Sequence, residues 1–98
     1  MPTTQPARKK ISRDTAEAIA LQALAFLAED RGRMARFLML TGLEPEDLRA
    51  RIGAGELHRA VLEHLAADES LLLVFTANRA IPPESIGAAI ALLQAHGP

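Results

Sequence analysis

The chain has 98 residues, which is enough for one domain with a hydrophobic core and too few for two. Hydrophobic residues make up 49% and charged residues 23% of the chain, a balance that excludes disorder for most of its length. The net charge is −1 and cysteine is absent, which excludes disulfides, thiol nucleophiles and thiolate metal sites.

The composition predicts an all-α protein, because leucine and alanine are abundant while aromatic residues make up only 3% of the chain. We expect a compact bundle of about six short helices, formed by a single helical domain over residues 11–98. Residues 1–10 contain two prolines and a basic cluster without apolar periodicity, so we expect a disordered basic tail. This tail has no apolar core of the signal-peptide kind, and together with the lack of cysteine it points to a cytoplasmic protein.

The first predicted helix covers residues 15–29, after a cap at Ser12. Its apolar residues point in every direction, so we expect it to be enclosed by its own domain or by a second subunit. A second helix is expected over residues 33–40, and Gly42 should end it.

A third helix should start at Pro45, because the N–H group that proline lacks would have no partner within the helix at the first helical position. This helix should stop before residues 53–55. An amphipathic fourth helix covers residues 56–67, and the apolar run 71–75 is interpreted as part of a fifth helix. The sixth helix starts at Pro82-Pro83 and ends at about Ala95. Its small residues are predicted to allow close approach of another helix: Gly87, Ala91 and Ala95.

An internal repeat is indicated when the chain is shifted by 38 residues. Residues 24–52 then align with residues 62–90 with nine identities. Asp30 and Phe37 correspond to Asp68 and Phe75, and both copies share a Pro-Glu helix start. We therefore predict two three-helix repeats over about 17–53 and 55–91, related by a pseudo-twofold axis. Independent use of the same helix-start chemistry in both halves is the alternative.

No residues form a recognisable catalytic or metal-binding constellation. The histidines His58 and His64 are six residues apart on one predicted helix and cannot chelate one metal from it, and His96 stands alone. The serines fall near helix starts, where capping explains them. We therefore expect no enzymatic activity, no cofactor and no metal.

Three arginines cluster at the start of the second helix and are the candidate partner-binding residues: Arg31, Arg33 and Arg36. A solvated helix face is the plainer interpretation of the same residues. Our leading hypothesis is a non-enzymatic protein-interaction or regulatory module, which binds an unknown protein partner or assembles into a homo-oligomer.

The alternative is a helix-turn-helix-like nucleic-acid-binding protein that uses residues 34–51 and the basic tail. Arg49 and Arg51 would contact phosphates, but bulky Leu38 stands where this motif favours a small residue, and the would-be recognition helix opens with two acidic residues. We therefore regard nucleic acid as an unfavoured partner. A small-molecule site between the two halves has no residue that motivates it.

Several segments together resemble a family of short bacterial proteins known as domain of unknown function 3572. They are residues 18–28, then Arg36-Phe37-Leu38, Thr41-Gly42-Leu43 and Asp47-Leu48-Arg49, then residues 68–72 with Phe75. The resemblance covers about residues 15–95 and implies a small, all-helical, cytoplasmic bacterial protein without an assigned activity. It implies no catalytic residues. Glu44 departs from the aspartate cap expected before Pro45.

Overall fold

The computed structural model describes residues 11–94, which form six α-helices and no strand. The helices are α1 (Arg13–Ala28), α2 (Arg31–Thr41), α3 (Pro45–Ala50), α4 (Gly55–Ala66), α5 (Glu69–Arg79) and α6 (Glu84–Gln94). The predicted all-α bundle of about six short helices is confirmed. The predicted tail over residues 1–10 and the predicted end of the last helix lie outside the described residues. No helix in the described range is both long and apolar enough to cross a membrane.

Local side-chain chemistry sets the helix starts. The side chains of Ser12, Asp30 and Asp68 accept hydrogen bonds from backbone N–H groups in the first turns of α1, α2 and α5, at 3.0–3.1 Å. Pro45 opens α3 as predicted, and the backbone N–H of the preceding Glu44 donates to the Asp47 carboxylate at 2.9 Å. Caps of this kind each stabilise a protein by about 1 kcal/mol.

The core is built mainly where α1, α4 and α6 pack against one another, with α2 lying on α1 and α4, and α5 lying on α4. The largest fully buried side chains come from α1, α2, α4, α5 and α6, whereas α3 buries none. The described chain covers only one side of α1. Its outer side leaves Leu21 43% exposed beside small, exposed Ala18 and Ala25.

The predicted close approach along the small residues of α6 is wrong. Gly87 and Ala91 are exposed, and a Cβ atom at Gly87 would meet nothing within 4 Å. The third predicted position, Ala95, lies outside the described residues. Burial of the large apolar side chains of Ile86 and Leu93 sets the inward face of α6, and the small residues on that face are Ser85 and Ala89.

The two halves share helix boundaries that are 38 residues apart. Helices α2 and α5 correspond at both ends, and each is followed by a left-handed residue, Gly42 with φ 76° and Ala80 with φ 56°. This conformation costs an alanine roughly 1–2 kcal/mol. The halves then diverge, because α3 has six residues with none buried, whereas α6 has eleven and joins the core. The repeat itself stays a prediction.

Candidate protein-interaction surface

The charge pattern of α2 differs from that of every other described helix. All its charged residues are arginines, Arg31, Arg33 and Arg36, and it has no acidic residue in its first turn. Each of the other five helices has at least one acidic residue in its first turn. Positive charge near a helix N-terminus opposes the helix dipole and costs typically about 0.3–1 kcal/mol for each group. Two ion pairs are found within residues 11–94, and neither involves α2. Ion pairing inside the described part of the chain therefore does not offset the unfavourable charge of these arginines.

Arg33 is held against the core. Its guanidinium carbon lies 4.4 Å from the centre of the Phe26 ring, a cation–π contact. The Phe26 ring is itself buried and lies 5.3 Å from the Phe75 ring. Arg33 is therefore half-buried and restrained, and it would lose less side-chain entropy on binding than a freely rotating arginine.

The structure brings Arg33 and Arg36 together but not Arg31. Residues three apart share a helix face, whereas Arg31 and Arg33 are two apart and point to different sides. Leu40, seven residues after Arg33, continues the shared face and is 58% exposed. Met39 lies on the outer side of α2 and is 69% exposed. We call Arg33, Arg36, Met39 and Leu40, together with Arg31 at the first position of the helix, the α2 surface. Sequence reasoning missed Leu40, although its spacing from Arg33 was a usable signal.

A cleft of about 200 Å³ lies at the C-terminal end of α2, and we call it the α2–α4 cleft. It is lined by Thr41, Leu43, Arg51, Glu56, Leu57 and Ala60. Leu40 directly precedes one wall residue, Thr41. Ile52 directly follows a second wall residue, Arg51, and is 51% exposed. Two exposed apolar residues therefore stand next in the chain to wall residues of the cleft, and one of them, Leu40, belongs to the α2 surface.

A comparison with protein-family models identifies the family to which this chain belongs. The family model DUF3572, which describes a protein of unknown function, matches residues 13–96 of the chain. The chain belongs to this family. No curated protein and no solved structure matches it. DUF3572 membership confirms the resemblance seen in the sequence and assigns no activity, so a function has to be argued from the surfaces themselves.

His64 of this DUF3572 chain lies beside the α2 surface. Its ring meets the buried Phe37 ring edge-on, with 5.1 Å between the ring centres. Burial lowers the pKa of His64 below its ordinary value of 6.5, the positive charge of Arg36 lowers it further, and Asp68 acts in the opposite sense. The His64 Nε2 atom is buried and has no hydrogen-bond partner among residues 11–94. Protonation at this site is therefore disfavoured in the folded protein.

We expect the lowered pKa of His64 to make the protein less stable in mild acid. Below the unfolded pKa, near 6.5, the unfolded chain binds a proton at this residue that the folded chain does not bind. The free energy of unfolding therefore falls as the pH drops through 6.5, and this contribution levels off below the folded pKa. Urea unfolding of the wild type and of His64→Gln, measured between pH 7.5 and 5, separates the contribution of His64 to the free energy of unfolding from the contribution of the carboxylates. Parallel pH profiles for the two proteins would contradict it.

A second cleft, of about 410 Å³, lies between the starts of α1 and α4 and the end of α6. It is lined by Arg13, Ala54, Gly55, Glu56, Arg59, Leu93 and Gln94. Its positive charges are offset nearby, since Glu56 is in the wall and a Glu63 oxygen lies 3.7 Å from the Arg59 Nε atom. Gln94 is also the last described residue, so one wall of this cleft lies at the limit of the described range.

The other candidate residues are dispersed. Arg49 and Arg51 are exposed, but they lie at the end of a six-residue helix, Arg49 in its last turn and Arg51 directly after it, and the first turn contains Glu46 and Asp47. His58 is buried, and its Nε2–H group donates to the carbonyl oxygen of Ile52 at 2.9 Å. Within the described range, no three histidine or acidic side chains converge to hold a metal ion. His96 lies outside that range.

Proposed function

We propose that this DUF3572 protein is a non-enzymatic, cytoplasmic protein-interaction module whose α2 surface binds an acidic segment of a protein partner. The observation that carries the proposal is the set of three arginines on α2. Arg31 and Arg33 lie in the first turn, where positive charge is unfavourable, and Arg36 follows in the middle of the helix. No ion pair within the described residues compensates any of the three. Carboxylates of a partner would pair with the guanidinium groups and would also complement the N-terminal end of α2.

The exposed hydrophobic residues of α2 favour a partner that is apolar as well as acidic. Met39 and Leu40 are the two most exposed large hydrophobic residues in the described range. Protein interfaces combine such side chains with arginine, since a desolvated apolar centre strengthens the surrounding charge pairs. Phosphates of a nucleic acid would pair with the arginines but would leave these two side chains unused.

Affinity capture from a native bacterial lysate, with and without nuclease and read by mass spectrometry, tests this proposal. The variant Arg31→Glu/Arg36→Glu reverses the two exposed charges and leaves the core-packed Arg33 in place. The matched control, Arg13→Glu/Arg49→Glu, reverses two exposed arginines that lie outside both α2 and the α2–α4 cleft. Circular dichroism verifies that all three proteins are folded.

We expect a protein partner that survives nuclease and remains bound to the control variant. Recovery should drop at least about tenfold for the α2 variant and should decrease at high salt, because the pairs are charge-assisted. Equal recovery by the α2 variant would overturn the proposal. Recovery that disappears with nuclease would favour the nucleic-acid alternative, and retention only of further copies of this chain would favour the homo-oligomer.

A further inference from the structure

We infer that the α2–α4 cleft is an anchor pocket for one uncharged, apolar side chain of the acidic segment. The inference rests on the proposed function of the α2 surface and adds to it the second feature by which the partner is recognised.

The size of the cleft favours a single side chain over a small molecule as its occupant. Small-molecule sites usually measure about 300–1,000 Å³, and this cleft has about 200 Å³. Its floor is apolar, because Leu57 is buried and Leu43 and Ala60 are half-buried. The hydroxyl of Thr41 already donates to the carbonyl oxygen of Phe37 at 2.8 Å, so this donor is satisfied without an occupant.

The charges in the walls select an uncharged occupant. Arg51 and Glu56 are both exposed and carry opposite charges, so neither an acidic nor a basic side chain gains from the pair. Exposed Leu40 and Ile52 stand next to the cleft along the chain. Such neighbours exclude water around a central anchor, an arrangement typical of interface hot spots.

The helix rise fixes the spacing between the two recognition features. Thr41 follows Arg36 by five residues, which is about 7.5 Å along the axis of α2. A partner running along α2 would therefore carry its apolar anchor about five residues from an acidic residue if helical. An extended partner would carry it about two residues away.

A random 12-residue peptide library displayed on phage, selected against the full chain, tests the inference and does not require the natural partner to be identified. We expect enriched peptides to contain aspartate or glutamate together with one leucine, methionine or phenylalanine at one of these two spacings. Enriched acidic peptides without an apolar residue at a fixed position would overturn the anchor pocket.

Binding of the enriched peptides to variants then locates the pocket. Ala60→Leu fills the cleft and should weaken binding at least about tenfold. Ala25→Leu, which adds the same atoms at an exposed position on the outer side of α1, should bind like the wild type. Leu43→Ala removes a wall of the cleft and gives an independent reading should Ala60→Leu fail to fold, which thermal melts would reveal.

The two proposals fail in different ways. Wild-type binding by Ala60→Leu and Leu43→Ala, with loss of binding by Arg31→Glu/Arg36→Glu, would overturn the anchor pocket and leave the proposed function standing. Selection of peptides without acidic residues, or equal binding by the arginine variant, would overturn both.

Discussion

Replacing Phe37 by alanine should lower the free energy of unfolding by about 3–5 kcal/mol. Phe37 is the one α2 residue that is fully enclosed, and its ring lies against His64 of α4. The substitution removes the apolar surface that holds α2 on the core and leaves a cavity that the surrounding helices fill only in part. Since the proposed partner surface is on this helix, partner binding should weaken as well.

Met39→Ala is the matched control for Phe37→Ala, because it truncates a large side chain two residues further along the same helix. Met39 is 69% exposed, so its removal should change the free energy of unfolding by no more than about 0.5 kcal/mol. Denaturant unfolding of the two variants and the wild type measures the difference. A cost for Phe37→Ala below about 1 kcal/mol, or similar costs for both variants, would show that the ring does not anchor α2.

Domains of this size are stable by only about 5–15 kcal/mol, so a loss of several kcal/mol brings Phe37→Ala near its unfolding threshold. The surface arginines are expected to behave differently. Arg31→Glu should slightly stabilise α2, because an acidic group replaces a basic one near the positive end of the helix dipole. A residue whose replacement helps folding but harms binding is the pattern expected of a position kept for a partner.

The approximate helix starts were predictable from the sequence because their chemistry is local, although α1 and α2 each begin two residues before the predicted position. Asp30 and Asp68 each accept a hydrogen bond from a backbone N–H group three residues later, and Pro45 stands at the first helical position. Both signals are fully contained within four or five consecutive residues. The same is true of Gly42, whose left-handed backbone ends α2.

Contacts between helices were not predictable in the same way. The small residues Gly87 and Ala91 suit a close helix contact and a solvent-facing surface equally well, and only the packing of the larger residues on α6 decides between them. The contact between Arg33 and the Phe26 ring joins two helices and leaves no periodic signal in either. The α2–α4 cleft likewise combines three separate segments of chain, so its pairing of Leu43 with Ala60 required the tertiary structure.

The close helix approach occurs along α1 instead, where Ala23→Leu should cost about 1–3 kcal/mol. Three alanines at helical spacing are enclosed on the inner face of this helix: Ala16, Ala20 and Ala23. This helix packs against α4 and α6, which supply most of the remaining core. A leucine at Ala23 would add three carbon atoms where no solvent-accessible space remains, forcing neighbouring side chains from their preferred rotamers or moving the helices apart.

Ala25→Leu makes the same chemical change two residues away, on the exposed outer side of α1. Alanine and leucine have similar helix propensities, so this control should change the free energy of unfolding by no more than about 0.5 kcal/mol. Thermal and denaturant unfolding of the pair therefore separates crowding inside the bundle from any effect on the helix itself. Equal stabilities would mean that α1 and its neighbours can move apart at little cost, and that the alanine spacing does not set the distance between them.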